Sequence, residues 1–251
     1  MMKSEQSTIE AHLASYEDIA SEYYDRIRHP TCANFREASA LILRVWLQRH
    51  KVERGQVWEV GAGNSLLVEL LVELEEEPRM VVISDPSPSM LEFSKKWVNQ
   101  GALLSLNRAE IIPVTSSSLS LVVSSLGDAY NEPAFWDETN RCLRPGGRLF
   151  FTTPAYEWAE AFRSQNGQGE ITGAEFELKD GRKVIVPSRI CPVEQQIELI
   201  KNSGLEILEV THVPRSALES EHLSPKLFIG HDDNINILTG YLCMKPRNEI
   251  P

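Results

Sequence analysis

The chain has 251 residues, of which 42% are hydrophobic and 24% charged. These are the proportions of a soluble globular protein, which excludes disordered and collagen-like classes, and the length suits one large domain or one domain with a small attachment. The formal net charge is -11, from 25 Lys+Arg against 36 Asp+Glu, so phosphate backbones are repelled and bulk nucleic-acid binding is disfavoured, although a local basic pocket is not excluded.

Met1 to Glu10 is polar and has no apolar signal core. No apolar run approaches the roughly 20 residues of a membrane span. The expectation is a soluble cytoplasmic protein. Helical spacing of Ile9, Leu13, Tyr16, Ile19, Ala20 and Tyr23 predicts a first helix from Ser7 to about Ile27, interrupted by Pro30. A second helix is predicted from Asn34 to His50. Cys32 lies between these helices. With Cys142, Cys191 and Cys243 it is read as one of four reduced thiols, because no CxxC pair suggests zinc or a disulfide framework.

Val57 to Val60 is the first β-prone run and ends in Gly61-Ala62-Gly63-Asn64-Ser65. A leucine-rich helix follows, from Leu66 to about Glu75. Met80 to Ile83 reads as a buried strand, stopped by Ser84-Asp85-Pro86. Ser87 or Ser89 can cap the next helix, which carries Met90, Leu91, Phe93 and Trp97. Leu103 to Leu106 and Leu119 to Val123 are the third and fourth strands. Pro133 opens a helix that ends at the turn signal Arg144-Pro145-Gly146-Gly147, and Arg148 to Thr153 is the fifth strand. Ala174 to Leu178 and Lys183 to Val186 flank an Asp180-Gly181 hairpin turn. A helix from Pro192 closes at Gly204. Strands within Leu205 to Val213 and Ile235 to Met244 complete the chain. Alternating strands and helices predict an α/β fold with a mostly parallel sheet covered on both faces.

The segment Glu59-Val60-Gly61-Ala62-Gly63 follows a strand and opens a helix, where glycines let the backbone turn tightly and approach a ligand. Read alone, it fits equally a simple tight connection. Asp85, just past the second strand, stands at the interval where nucleoside-binding folds place an acid that can accept both ribose hydroxyls. Read alone, it fits a helix cap. A nicotinamide dinucleotide site is disfavoured, because no third glycine follows Gly63 and Glu59 would face a pyrophosphate.

Together these segments resemble class I methyltransferases dependent on S-adenosylmethionine (SAM). Glu59 to Gly63 is similar to the family's first motif, and Val82-Ile83-Ser84-Asp85-Pro86-Ser87-Pro88-Ser89-Met90-Leu91 to its second. Leu143 to Leu149 resembles the turn into the fifth strand, and Tyr16 to Tyr23 an N-terminal helix of many members. The resemblance spans about Tyr16 to Lys245. It implies a Rossmann-like three-layer sandwich with a seven-stranded sheet, the last strand antiparallel. A helical cap or lid would span residues 1–50 and a methyltransferase domain residues 51–251, with a β-hairpin insertion at about 174–187. The chain departs from the family at Ser65, where a third glycine is common, and at Arg108, where an acid is common.

For the cofactor the resemblance implies Glu59 toward the amino-acid end of SAM, with Gly61, Ala62, Gly63 and Asn64 against it. Asp85 would take the ribose, with Pro86, Met90, Ala109 and Glu110 around adenine. Ser124 and Ser125 would lie near the methyl donor, and Tyr16 and Tyr23 could close over it. The product would be S-adenosyl-L-homocysteine. On the acceptor side, Asp128 or Tyr130 could orient or deprotonate the nucleophile, and His29 could be a base. The alternatives are a capping Asp, a packed Tyr and a loop His. The absence of an Asn/Asp-Pro-Pro-Tyr segment lowers amino-base acceptors. The implied activity is methyl transfer to a small-molecule or peptide acceptor, with oxygen favoured and no metal. A non-catalytic SAM- or partner-binding protein is the alternative.

Overall fold

The computed structural model describes residues 15–50, 56–78, 80–165, 173–229 and 234–247. The part of the predicted first helix before residue 15 lies outside the described residues. One sheet carries seven strands in the order β3-β2-β1-β4-β5-β9-β8. They are β1 (Gln56–Glu59), β2 (Val81–Asp85), β3 (Leu103–Leu106), β4 (Leu119–Ser124), β5 (Leu143–Pro154), β8 (Glu206–Pro214) and β9 (Asn236–Met244). Every residue of β2 and β4 is buried, as expected for central strands covered on both faces. The strands from β3 to β5 pair in parallel. β9 runs antiparallel between β5 and β8, with Phe150 opposite Leu242 and Val210 opposite Tyr241. The Rossmann-like architecture with a late antiparallel strand is therefore as expected.

Helices cover both faces. One face packs α1 (Pro30–Arg49), α2 (Leu66–Glu73) and α5 (Tyr156–Gln165) over Phe35, Ile42, Trp46, Leu67 and Phe150. The other packs α4 (Pro133–Cys142) and α6 (Val193–Asn202) over Phe135, Trp136, Phe151 and Ile200. A hairpin outside the main sheet, β6 (Gly173–Glu177) with β7 (Lys183–Pro187), packs Val184 and Val186 on Ile19 of the N-terminal segment. Among the described residues no helix is long and apolar enough to cross a membrane.

Four local differences from the sequence reading have physical causes. Only residues 15–19 of the described N-terminal segment are helical. The chain then turns, because Asp25 Oδ1 accepts from the amides of Ile27 (2.9 Å) and Arg28 (3.1 Å). α1 begins at Pro30 rather than Asn34, since proline suits the first helical turn, where its missing N–H costs nothing. The helix after Ser87 is a single turn, α3 (Pro88–Leu91), which tightens into a 3-10 segment (Glu92–Gln100). β5 includes the expected turn Arg144–Gly147, because Gly146 and Gly147 exchange 2.9 Å backbone hydrogen bonds with Lys245. The pairing with β4 shifts from Leu119 opposite Leu143 to Leu121 opposite Arg148, so these residues form a bulge.

α1 approaches the sheet closely where β9 presents Gly240. A methyl group there would stand 2.8 Å from the Trp46 ring and 2.9 Å from Ile42. Trp46 is fully buried and cannot step aside. Gly240→Ala is expected to lower stability by about 1–3 kcal/mol through overpacking. Equilibrium urea unfolding checks this, and an unchanged midpoint would show that α1 yields.

Candidate functional site

β1 lies between β2 and β4, so the chain moves outward from β1 to β3 and then returns to β4. In an open α/β sheet such a reversal leaves a crevice at the carboxyl ends of the strands. The turn from β1 into α2 occupies it. Gly61 and Gly63 take φ +57° and +48°, a region that favours glycine. Two buried carboxylates shape the turn. Glu59 accepts from the amides of Leu66 (3.1 Å) and Leu67 (3.0 Å) and from the Ser65 hydroxyl, so it caps α2 from below. Burial holds its carboxyl above the usual range. Asp85, at the end of β2, accepts from Gly63 N and Ser87 N, both at 2.9 Å. Burial pushes its carboxyl up to about 6.

Tyrosines close on the turn from both sides. The Tyr130 hydroxyl donates to Val60 O at 2.8 Å and lies 3.1 Å from Ser124 Oγ. Its ring fills the space a side chain at Gly61 would need. The Tyr24 hydroxyl accepts from Asn64 N at 2.7 Å and fills the space beside Gly63. Arg36 of α1 reaches the same turn, donating to Asn64 O (2.8 Å) and pairing with Glu69 (2.8 Å).

These elements enclose a cavity of about 710 Å³. Of the residues singled out in the sequence, it brings together Gly61, Ala62, Asn64, Asp85, Pro86 and Met90. Ser125, Tyr130, Tyr16 and Tyr23 also line it. Others lie elsewhere. Glu59 is turned beneath α2, Gly63 gives its amide to Asp85, and Ser124 is buried beside Tyr130. Ala109 is in the apolar core, and Glu110 pairs with Arg108 at 3.3 Å. His29 faces Glu22 (Nε2 to Oε2, 3.4 Å) and packs on Phe176, so it supports the cover rather than the cavity wall.

Asp128 belongs to the turn whose Leu126, Ala129 and Tyr130 line the cavity. Its Oδ2 accepts from Ser188 Oγ at 2.6 Å. Tyr16, Tyr23 and Cys32 of the cavity wall stand within electrostatic reach of it. Burial pushes its carboxyl up to about 6. Burial holds the phenols of Tyr16, Tyr23 and Tyr130 above their ordinary value, so they stay neutral.

The sequence reading missed Tyr24, Arg36 and Glu37 and the stretch Glu219–His222, all of which line the cavity. Ala33, Arg36, Glu37 and Ala40 form a stripe at helical spacing on α1. That stripe was legible as a face, yet attention to the apolar side passed over it. Nothing local marks residues 219–222.

Residues 58–151 match the methyltransferase domain family. A malonyl-[acyl-carrier protein] O-methyltransferase of Hahella chejuensis is 33% identical over 98 residues, which is 38% of this chain and 35% of that protein. The match thus spans about a third of that relative's length. The DhpI–SAM–HEP complex superposes with a TM-score of 0.64 at 18% identity, over 95% of this chain and 97% of that one. A Listeria monocytogenes structure described as a SAM-dependent methyltransferase gives a TM-score of 0.62 at 15% identity, over 84% of this chain and 98% of that one. At these identities the structures are alike in fold.

The raised carboxyl of Asp128 has a consequence for stability. Its folded value, about 6, lies above the roughly 3.9 of an exposed Asp, so the folded state favours the neutral form and loses stability as pH rises from about 4 to 6. Asp128→Asn, which keeps the shape and a partner for Ser188, is expected to exceed the parent in stability by about 1–3 kcal/mol above pH 6. The gain should vanish below pH 4. Denaturant midpoints across this range check it, and a pH-independent difference would remove the carboxyl from account.

Proposed function

We propose that this chain is a class I SAM-dependent methyltransferase and that it methylates a small acceptor that enters with a hydroxyl group. The observation that carries the reading is Asp85, whose two oxygens are fixed by backbone amides at the mouth of the crevice. Each oxygen keeps a lone pair for a ribose hydroxyl. The residues present fit the rest of the cofactor. Among the described residues, Asn64 Oδ1 is buried without a partner and can accept from an ammonium group. Arg36, at the same turn, offers a cation to a carboxylate. Met90 and Pro86 supply an apolar wall. The cavity volume is within the range that holds a cofactor and a small partner.

When bound, SAM would supply a methyl carbon on a positively charged sulfur that is already a good leaving group. The protein's part is mainly alignment and exclusion of water. Tyr16, Tyr23 and Tyr24 from the N-terminal segment roof the cavity, and Tyr130 walls it below the turn. Tyr130 is an unsuitable base, because its hydroxyl is engaged by Val60 O and burial opposes its ionisation. Asp128 is the suitable one. It takes the proton that the acceptor oxygen releases, and its value near 6 leaves it ionised at neutral pH.

This favours a hydroxyl over a carboxylate acceptor. A second carboxylate beside Asp128 would be repelled, as would an anion passing Glu37, Glu219 and Glu221 on the cavity wall. The Hahella chejuensis relative is named a malonyl-[acyl-carrier protein] O-methyltransferase, which supports oxygen as the acceptor atom, although the free oxygen of a malonyl group belongs to a carboxylate rather than to an alcohol.

Asp85→Ala and Arg36→Ala should each weaken SAM binding roughly 5- to 150-fold, about 1–3 kcal/mol, the cost of removing a buried or charged partner. Asp128→Asn should bind SAM as the parent does while transferring labelled methyl groups more slowly to small alcohols and phenols. Calorimetry and a labelled-donor screen measure the two effects. Parental affinity in a folded Asp85→Ala protein would take that residue out of the cofactor site.

A further inference from the structure

The hairpin is tied into the site at both of its ends. Near its tip, Lys179 N donates to Glu22 Oε2 (3.1 Å) in the N-terminal segment, and Phe176 of β6 stacks on Tyr23 with ring centroids 6.0 Å apart. Tyr23 lines the cavity. At its base, the residue after β7 is Ser188, which is buried and donates its hydroxyl hydrogen to Asp128 Oδ2 at 2.6 Å. The next residue continues the attachment. Arg189 N donates to Asp128 O at 2.8 Å, and Arg189 O accepts from Asn131 Nδ2 at 3.1 Å. Two main-chain bonds therefore fix where the Ser188 hydroxyl stands relative to the turn that carries Asp128.

We propose that Ser188 is a positioning residue for methyl transfer, through which the hairpin orients Asp128 and keeps it ready to accept the acceptor's proton. The inference rests on the reading of Asp128 as proton acceptor. A hydroxyl that donates to one carboxylate oxygen favours the ionised form and fixes the plane of the group. The Ser188 hydroxyl takes Oδ2, and the amide of Asp128 itself is the other donor to the carboxylate. The proton passes from the acceptor oxygen to the Asp128 carboxylate, which becomes a neutral acid and later releases the proton to water. The freed oxygen pair would bond to the methyl carbon of a bound SAM as the carbon–sulfur bond breaks and its electron pair returns to sulfur.

The surroundings of Asp128 make Ser188 the decisive partner. From the N-terminal segment it meets Tyr16 and Tyr23, and from α1 it meets Cys32, whose thiol burial pushes up to about 12. From its own turn it meets Tyr130. All four are neutral at pH 7. The cation that acts on it is Arg163 of α5, through space rather than by a hydrogen bond. Burial alone would raise the carboxyl, and the Ser188 hydroxyl is the largest influence that opposes it.

The test reads Asp128 directly and needs no acceptor. The full-length protein, saturated with S-adenosylhomocysteine and carrying carboxyl-¹³C aspartate, is titrated by NMR, with the Asp128 signal assigned by its loss in Asp128→Asn. The parent midpoint is expected near 6. Ser188→Ala should raise it by about one pH unit, the equivalent of one charge-assisted hydrogen bond, and Ser188→Thr should restore it. A serine whose hydroxyl does not hold the Asp128 carboxylate would alter stability in Ser188→Ala and leave the midpoint where it was, and that result would overturn the inference. The underlying reading fails differently. Unimpaired methyl transfer to alcohols or phenols by Asp128→Asn would end the role of Asp128 as proton acceptor, whatever the titration shows.

Discussion

The structure depends on two buried carboxylates that hold one turn. Glu59 binds the first amides of α2, and Asp85 binds Gly63 N in the middle of the turn. Without them the amides between β1 and α2 would be buried and unpaired, at about 1–3 kcal/mol each. The two acids come from neighbouring parallel strands, β1 and β2, so sheet pairing fixes their spacing. Their roles then diverge. Glu59 is consumed by the helix end, whereas Asp85 remains on the cavity wall. Keeping Asp85 there is costly, since its carboxyl is pushed up to about 6 by burial. Such strain is typical of a site that awaits a polar ligand.

The cover is assembled from two distant segments. Residues 15–29 and the hairpin meet over Ile19, Leu178, Val184 and Val186, and Glu22 joins them through Lys179 N, Arg28 and His29. Glu17 ties the same N-terminal segment to Ser87 and Ser89, at the start of α3. The segment is thus anchored by Glu17 at the start of α3 and by Glu22 at the hairpin. One short stretch of chain is held at two points, and its Tyr16, Tyr23 and Tyr24 line the cavity.

The sequence carried the sheet and the glycine turn well. Apolar runs such as Val81–Ile83 and Leu119–Val123 have one reading, a buried parallel strand, because both faces need apolar side chains. Gly61 and Gly63 were legible because a left-handed backbone at those places favours glycine. The roles of Glu59, Glu110 and His29 were harder to read. An acid or imidazole near a motif can turn toward a ligand or toward its own neighbours, and here each turns toward a neighbour, α2, Arg108 or Glu22.

By itself, then, the sequence determined the strands of the first half, the glycine turn and the acid that follows it, because these follow from local periodicity and short-range spacing. Only the tertiary structure decided which side chains share the cavity. Tyr24 and Arg36 reach the turn from segments 28 or more residues away, and Glu219–His222 arrives from the far end of the chain. Ser188 meets Asp128 across 60 positions. Such partners leave no periodic trace, since the folding of the whole sheet, rather than any local spacing, brings them within hydrogen-bond distance.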